Sequence, residues 1–340
     1  MSVFSPASKK DGVRATSLSC RYSPGLVPFL RSLNISLVLT AAEGDRVLSL
    51  TANQQELVMS VVDFDKPRGV AASGNKIALS LKQQLRLFVS RERSESSRQP
   101  DHSFESKNRR EFSAQQSRST AGFSSPDLAW GTDGLWIANP TFSCLSTLTN
   151  DGRLLNLWKP GLSSEFSDED RCRVNGVALE NGTPHYVTAM AEWNTVGGWR
   201  EPVRNPGVII NVPGGEVLCR GLFSPTAPRV HNGRLWVLQA CSGQLCLVNR
   251  QTGEFDVVET FPGYSTALDC HAGYGFVGLS STCSDTDSNV GPLAAKGNLW
   301  CGLAVVDLTT GKAVEALKLL SGFESISAVA VVAGPLPTLM

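Results

Sequence analysis

A unit of turn, apolar strand, turn and apolar strand recurs along the chain, and it constrains the fold more than any other feature. It is clearest in "HNGRLWVLQACSGQLCLVNRQTGEF", residues 231–255. Short Gly-containing turns between apolar runs are typical of β-hairpins. The copies start about 40 to 60 residues apart, which is the spacing of propeller blades. The six copies of the inner hairpin begin at Arg68, Asp127, Asn175, Pro228, Ala267 and Ile326.

A second hairpin follows four of these copies. Its turns are Asn150-Asp151-Gly152, Gly214-Gly215, Thr252-Gly253 and Thr310-Gly311. Four strands in each of six units predict an all-β fold, a six-bladed β-propeller. The alternative is a pair of β-sandwiches, which explains neither the six copies nor the way the two chain ends complement each other.

The ends of the chain predict how the propeller closes. The sixth copy lacks an outer hairpin, while an unassigned hairpin begins at Ile35 and turns at Glu43-Gly44-Asp45. Pairing the two would complete the sixth blade and remove exposed strand edges. We therefore assign residues 31–340 to one propeller domain and residues 1–30 to an N-terminal extension.

Residues 91–125 do not fit the repeat. The segment is polar, charged and poor in aliphatic side chains, so it cannot bury enough surface to offset the entropy of ordering. We predict a flexible polar insertion over one face of the propeller, and a lid is the functional alternative.

Composition excludes several classes of protein. The formal net charge is zero and no basic block is present, so no nucleic-acid partner is expected. The nine cysteines contain no C-x-x-C pair, which argues against structural zinc. A signal-peptide layout and a run of about 20 apolar residues are both missing, so we expect a cytoplasmic protein without a membrane partner. A homo-oligomer is left open.

Polar residues just ahead of the inner strands should converge on one mouth of the central channel. Because this ring is polar and carries both signs of charge, it is a candidate site. The alternative is that these groups only satisfy one another and buried water. The ring consists of Arg68, Asp127, Asn175, Arg229, Thr266 and Glu324.

The segment "AEWNTVGGWREPVRNP" is the second candidate. Trp193 and Trp199 can sandwich an aromatic substrate, and Arg200 or Arg173 can pair with a carboxylate. Glu192 against such an apolar wall could act as an acid or base. The alternative is a between-blade loop whose tryptophans cover the rim of the core.

Four strings carry a resemblance to a known family: "LAWGTDGLWIANPTFSCLSTL", "RCRVNGVALENGTPHYVTAM", "GGWR" and "CGLAVVDLTTGKAV". They are similar to a bacterial conserved-hypothetical family, sometimes fused to tetratricopeptide repeats, whose members are propeller-like. The chain also resembles cyclases of the cyanobacterial scytonemin pathway. That resemblance implies closure of a cyclopentane onto an indole in a keto acid made from two aromatic pyruvates.

The chain departs from the family pattern at three positions. Where the wider family tends to carry histidine, this sequence has Pro126, Arg173 and Thr226. Imidazole is a common metal ligand, and neither proline nor arginine replaces it. No metal and no cofactor are therefore expected.

The resulting hypothesis is a metal-free cyclase that forms a carbon–carbon bond in an indole-containing keto acid, with decarboxylation and dehydration. The alternative is a non-catalytic propeller that binds a protein or small ligand. The candidate catalytic residues are Glu192, Asp127 and Glu324. The candidate substrate-binding residues are Arg173, Arg200, Arg229, Trp193, Trp199, Asn175 and Arg68.

Overall fold

Six antiparallel sheets form the blades of a β-propeller. The structure, a computed structural model, describes residues 18–91, 111–120, 122–148, 153–161, 171–192, 196–200, 206–282, 292–293 and 297–336. Blade 1 contains, from the inside outward, β5 (Gly69–Ser73), β6 (Lys76–Ser80), β7 (Gln84–Arg91) and β8 (Glu111–Ser119). In the same order, blade 2 contains β9 (Leu128–Gly131), β10 (Gly134–Asn139), β11 (Cys144–Leu148) and β12 (Leu154–Trp158). Blade 3 contains β13 (Val174–Glu180), β14 (Thr183–Ala189), β15 (Gly207–Asn211) and β16 (Val217–Leu222).

The remaining blades repeat this arrangement, with additions from the N-terminus. Blade 4 contains β17 (Pro225–His231), β18 (Arg234–Gln239), β19 (Gln244–Val248) and β20 (Phe255–Thr260). Blade 5 contains β21 (Tyr264–His271), β22 (Tyr274–Ser280), β23 (Cys301–Asp307), β24 (Lys312–Leu319) and β1 (Cys20–Tyr22). Blade 6 contains β25 (Ala328–Ala333), β2 (Ile35–Ala41), β3 (Arg46–Ala52) and β4 (Leu57–Asp63). The inner strands β5, β9, β13, β17, β21 and β25 pack in a closed ring around the channel. The predicted six-bladed propeller is confirmed.

The inner hairpins have the turns that the repeat predicts. Asn232 and Gly233 connect β17 to β18 with φ of 50° and 72°. Two consecutive residues at positive φ make the tight turn whose twist matches that of the flanking strands, and Asn-Gly is its preferred sequence. Asn181-Gly182 and Ala272-Gly273 occupy the same position in the neighbouring blades with the same sign of φ.

The core consists of apolar layers between neighbouring blades. In β18, Leu235 and Val237 pack against blade 3, whereas Trp236 and Leu238 pack against blade 5. Successive side chains of a strand point to opposite faces, and both faces of each blade are covered. For this reason the strands appear in the sequence as continuous apolar runs, without polar alternation.

The chain ends close the ring in the sixth blade, as predicted. β25 pairs with β2 in antiparallel register from Ile35 opposite Ala333 to Thr40 opposite Ala328. The division of strands differs from the expectation of two strands from each end. The C-terminus contributes one strand and the N-terminus contributes three, because β4 forms the outer edge.

Parts of two segments form strands and a helix that the sequence did not predict. Within the expected insertion 91–125, residues 111–119 form β8, the outer strand of blade 1, and Phe112 is buried. Within and beyond the expected extension 1–30, β1 pairs with β24, and helix α1 (Leu26–Ser32) buries Leu26 and Leu30 between blades 5 and 6. Residues 92–110 lie outside the described residues.

His231, the last residue of β17, links blades 4 and 5 and gives a testable pH dependence. The N–H of Gly273 donates to Nε2 of His231 over 3.1 Å. Burial and the nearby His271 lower the pKa of His231, although Asp269 opposes this shift. Below about pH 6.5, His231 therefore binds a proton more readily in the unfolded chain than in the folded protein.

We expect the stability of the wild type to fall as pH drops through and below that value. A His231→Gln variant keeps a side-chain acceptor but does not titrate, so it should lose less stability between pH 7.5 and pH 5. Urea denaturation midpoints of both proteins at the two pH values measure this. Equal losses would show that His231 is not the titrating group.

Candidate functional site

A polar cavity lies at the mouth of the central channel. It is formed by residues that precede or begin the inner strands and by the loops that join the second and third strands of the blades. These parts of an antiparallel blade meet at one end of the propeller. The channel-mouth cavity has a volume of about 80 Å³. Its lining residues are Arg68, Pro126, Arg173, Asn175, Met190, Ser224, Thr226, Ala240, Cys241, Thr266, Ser280, Thr282, Ser325, Ile326 and Ser327.

Two arginines supply the charged groups of the described lining. Arg68 and Arg173 contribute two positive charges, and no aspartate or glutamate is among the described lining residues. Ser224 and Ser325 are 2% and 8% exposed, and their hydroxyls have no hydrogen-bond partner within the described part of the chain. A buried hydroxyl without a partner costs about 1–3 kcal/mol. The cavity therefore suits an anionic ligand with oxygen acceptors.

Arg173 is held in place by its backbone and by an aromatic ring. Its φ of 54° is in the left-handed region, which a non-glycine residue adopts only when surrounding contacts require it. Its N–H donates to Oγ of Ser143 over 3.0 Å. The Arg173 guanidinium lies 4.1 Å from the ring centroid of Trp199, a contact that fixes a long side chain. Ser224, also on the cavity, has a φ of 53°.

Trp199 and Arg200 lie next to Arg173, outside the described lining of the cavity. Trp199 is 5% exposed and packs with Met190 and Ala191, and Met190 lines the channel-mouth cavity. The guanidinium of Arg200 lies 4.4 Å from the same ring centroid, but Arg200 is not among the lining residues. The indole thus contacts two arginines, an arrangement that positions Arg173. Trp193, its predicted partner, lies outside the described residues.

Two of the other predicted polar residues lie at the cavity and are already engaged. Asn175 donates to the carbonyl of Pro225 over 3.0 Å and accepts from Oγ1 of Thr188 over 2.8 Å. Oγ1 of Thr266 donates to the carbonyl of Ile326. The contacts with Pro225 and Ile326 each join an inner strand to the next blade, so these side chains fix the shape of the mouth.

Asp127 and Arg229 lie in the channel but not at the cavity. Two nitrogens of Arg229 contact the two carboxylate oxygens of Asp127 at 2.8 and 2.9 Å. Asp127 also accepts the N–H of Val177 over 2.9 Å. Through these hydrogen bonds Asp127 connects blades 2, 3 and 4. Burial alone would lower the pKa of Arg229, but the charge of Asp127 and its hydrogen bonds raise it above the ordinary value.

A second carboxylate, that of the partly buried Asp269, extends this arrangement. Asp269 accepts the N–H of Val331 over 2.8 Å and that of Cys270 over 2.9 Å, so blade 5 is tied to blade 6. Burial raises the pKa of Asp269, and the positive charge of Arg229 opposes that shift. Asp127, Arg229 and Asp269 together are a structural cluster of the channel wall, and these contacts occupy the groups that catalysis would need.

The two remaining catalytic candidates also lie away from the lining. Glu192 receives three hydrogen bonds of 2.9 to 3.1 Å from Arg220, a half-exposed ion pair on blade 3. Glu324 is exposed, and its backbone carbonyl accepts from the N–H and Oγ of Ser281. The structure therefore brings Arg68, Arg173 and Asn175 together at the cavity, but not Glu192, Asp127 or Glu324.

The three positions that depart from the family pattern all line the channel-mouth cavity. Pro126, Arg173 and Thr226 come from blades 2, 3 and 4. Over the described ranges, no three His, Cys, Asp or Glu residues lie close enough to hold a metal ion. Burial raises the pKa of the Cys144 thiol to about 12 and that of Cys219 to about 11, so both stay protonated.

Fold and cavity define the chain as a six-bladed β-propeller with a polar cavity at its channel mouth, to which Arg68 and Arg173 contribute. It belongs to the family described as Domain of unknown function (DUF4915), which matches residues 24–338. No curated protein matches the chain. No helix in the described ranges is long and apolar enough to cross a membrane.

Two solved structures share the fold. A protein of unknown function from Bacteroides caccae is 13% identical with a TM-score of 0.55, covering 88% of this chain and 99% of that one. A chain of a nidogen/laminin complex is 11% identical with a TM-score of 0.56 over the same shares. At these identities the likeness is one of fold alone.

Proposed function

We propose that the protein is an enzyme that binds an indole-containing keto acid at the channel-mouth cavity and cyclises it with loss of carbon dioxide and water. The substrate class comes from the resemblance to scytonemin-pathway cyclases. The observation that carries the proposal is that Arg68 and Arg173 line one cavity with Ser224 and Ser325, whose hydroxyls have no partner within the described residues. Guanidinium groups recognise carboxylates through parallel N–H donors.

The size of the cavity limits which part of the substrate enters it. At about 80 Å³ it is well below the roughly 300 Å³ at which drug-sized ligands are enclosed. The carboxylate and the adjacent carbonyl fit, with the acid against Arg173 and Arg68. The hydroxyls of Ser224 and Ser325 are donors for the carbonyl oxygen. The two aromatic groups extend beyond the cavity.

The chemistry requires positioning and charge stabilisation. The indole carbon attacks the ketone carbon, a carbon–carbon bond forms, and the carbonyl electron pair becomes an alkoxide that takes a proton. The indole carbon then loses its own proton. The carboxylate next to the new alcohol leaves as carbon dioxide, and its electron pair forms a double bond while hydroxide departs and is protonated to water. Cations fixed beside the oxygens stabilise the charge that develops at each stage.

An assay with the coupled indole and phenol pyruvate adduct tests the proposal. Purified protein should convert the adduct to a cyclised product and release one carbon dioxide per molecule consumed, as followed by mass spectrometry and gas detection. Heat-denatured protein controls for spontaneous decarboxylation. Unchanged adduct after long incubation with folded protein would contradict the proposed activity.

A non-catalytic binding propeller is the second candidate, and one observation favours it. None of the described carboxylates lines the channel-mouth cavity, so no described side chain there acts as an ordinary acid or base. A binding protein would retain the adduct in equilibrium dialysis without releasing carbon dioxide. It would also co-purify with a partner, whereas the enzyme need not.

A further inference from the structure

A second cavity lies at the opposite end of the propeller, between blades 4 and 5. Its walls come from the turn of the β17–β18 hairpin, the turn of the β21–β22 hairpin and the turn between β23 and β24. In an antiparallel blade these turns lie at the end away from the start of the inner strand. The inter-blade cavity has a volume of about 230 Å³. Its lining residues are His231, Asn232, Arg234, Trp236, Gly273, Leu308 and Thr309.

The lining is rich in hydrogen-bond donors. Arg234 is exposed and carries the one full charge among the described lining residues. His231 accepts the N–H of Gly273 at Nε2, so its neutral ring carries a proton on Nδ1. Trp236 is 2% exposed, and its indole N–H has no partner within the described residues. These groups call for an acceptor that carries negative charge.

The neighbouring carboxylate does not fill that role. Oδ1 of Asp307 accepts the backbone N–H groups of Thr309 and Thr310 at 2.8 and 3.4 Å. Its hydrogen bonds stay within its own turn and hold Thr309 at the cavity edge. Leu308 and the indole of Trp236 supply an apolar wall next to the donors. The hydrogen-bond donors suit a carboxylate, and the adjacent apolar wall suits a short apolar body attached to it.

We propose that the inter-blade cavity is a binding site for a small organic carboxylate, separate from the channel-mouth cavity. The carboxylate contacts Arg234 and Asn232, and the apolar body of the ligand packs on Leu308 and Trp236. The site does not depend on the proposed cyclase activity, because it shares no lining residue with the channel-mouth cavity.

Indole N–H signals of the full chain, labelled with ¹⁵N-tryptophan, test this site. Trp236→Phe identifies the Trp236 signal among those of the seven tryptophans. Titration with benzoate should shift that signal in a saturable way, because a bound carboxylate changes the surroundings of an unpartnered N–H. Benzyl alcohol has the same ring without charge and should shift it weakly or not at all. Acetate should bind more weakly than benzoate because it lacks the apolar body.

Arg234→Met should weaken benzoate binding about fivefold, the effect of one exposed charge. Arg21→Met, an exposed arginine of β1, is the matched control and should not change binding. Arg173→Met should leave the Trp236 titration unchanged, which separates this site from the channel-mouth cavity. A linear shift, an equal response to benzyl alcohol, or full affinity in Arg234→Met would each overturn the proposal.

Discussion

Replacing Arg229 with methionine is expected to lower the free energy of unfolding by about 3–5 kcal/mol. The substitution removes the bidentate partner of Asp127 and leaves its carboxylate, whose side chain is 6% exposed, without a counter-charge in the channel wall. The loss of stability exceeds the net contribution of the ion pair. The Asp127 carboxylate stays desolvated, and the attraction to Arg229 that offset this cost is gone. Urea denaturation at pH 7.5 gives the value.

Two further variants separate this explanation from a general effect of losing an arginine. Arg220→Met removes the surface partner of Glu192 and should cost less than about 1 kcal/mol, because that pair is exposed to solvent. Adding Asp127→Asn to Arg229→Met removes the stranded charge and should recover part of the loss. A cost in Arg229→Met as small as that in Arg220→Met would show that the buried pair does not hold the channel wall.

The fold could be predicted because its signals are local and repeat. Asn-Gly and similar turns fix the hairpins, and the apolar runs between them have both faces covered. The closure followed from complementary chain ends. β8 was missed because the outermost strand of a blade has a solvent-facing side: "EFSAQQSRS" buries Phe112 but otherwise resembles a loop. β1 was missed because three residues pairing with β24 leave no pattern in the sequence.

Which residues line the channel-mouth cavity depends on register, and the sequence shows register only in part. Of the predicted ring, Arg68, Asn175 and Thr266 line the cavity, whereas Asp127, Arg229 and Glu324 do not. Just ahead of β9, an error of one position exchanges Pro126, which lines the cavity, for Asp127, which does not. Ahead of β25, Ser325 lines the cavity and Glu324 does not.

In blade 4 the error is larger. β17 begins at Pro225, ahead of the predicted start at Pro228. Thr226 therefore lies at the mouth, and Arg229 lies deeper in the channel. Ser224 directly precedes β17, so the correct start of this strand would have placed it at the mouth.

Under the proposed cyclase activity, replacing Arg173 with methionine is expected to reduce kcat/KM for the proposed keto-acid substrate by about 100-fold or more, the usual effect of removing one fixed donor to a developing charge. Methionine retains an unbranched side chain and is no more strained at a φ of 54° than arginine, so stability should change little. Arg173→Lys keeps the charge but loses the planar fork, and it should restore only part of the activity. Steady-state assays of substrate consumption and carbon dioxide release give both values.

Glu192→Gln is the decisive comparison, because Glu192 is one of the three acid–base candidates of the sequence and the structure pairs it with Arg220. If charge stabilisation at the channel-mouth cavity drives the reaction, this variant stays within about threefold of the wild type, a surface-pair effect. If Glu192→Gln loses activity while Arg173→Met keeps it, the reaction takes place along the loop of Glu192 and the cavity is not the active site. Loss of ligand binding in Arg173→Met, with no turnover in the wild type, would instead establish a binding propeller that uses the same arginine.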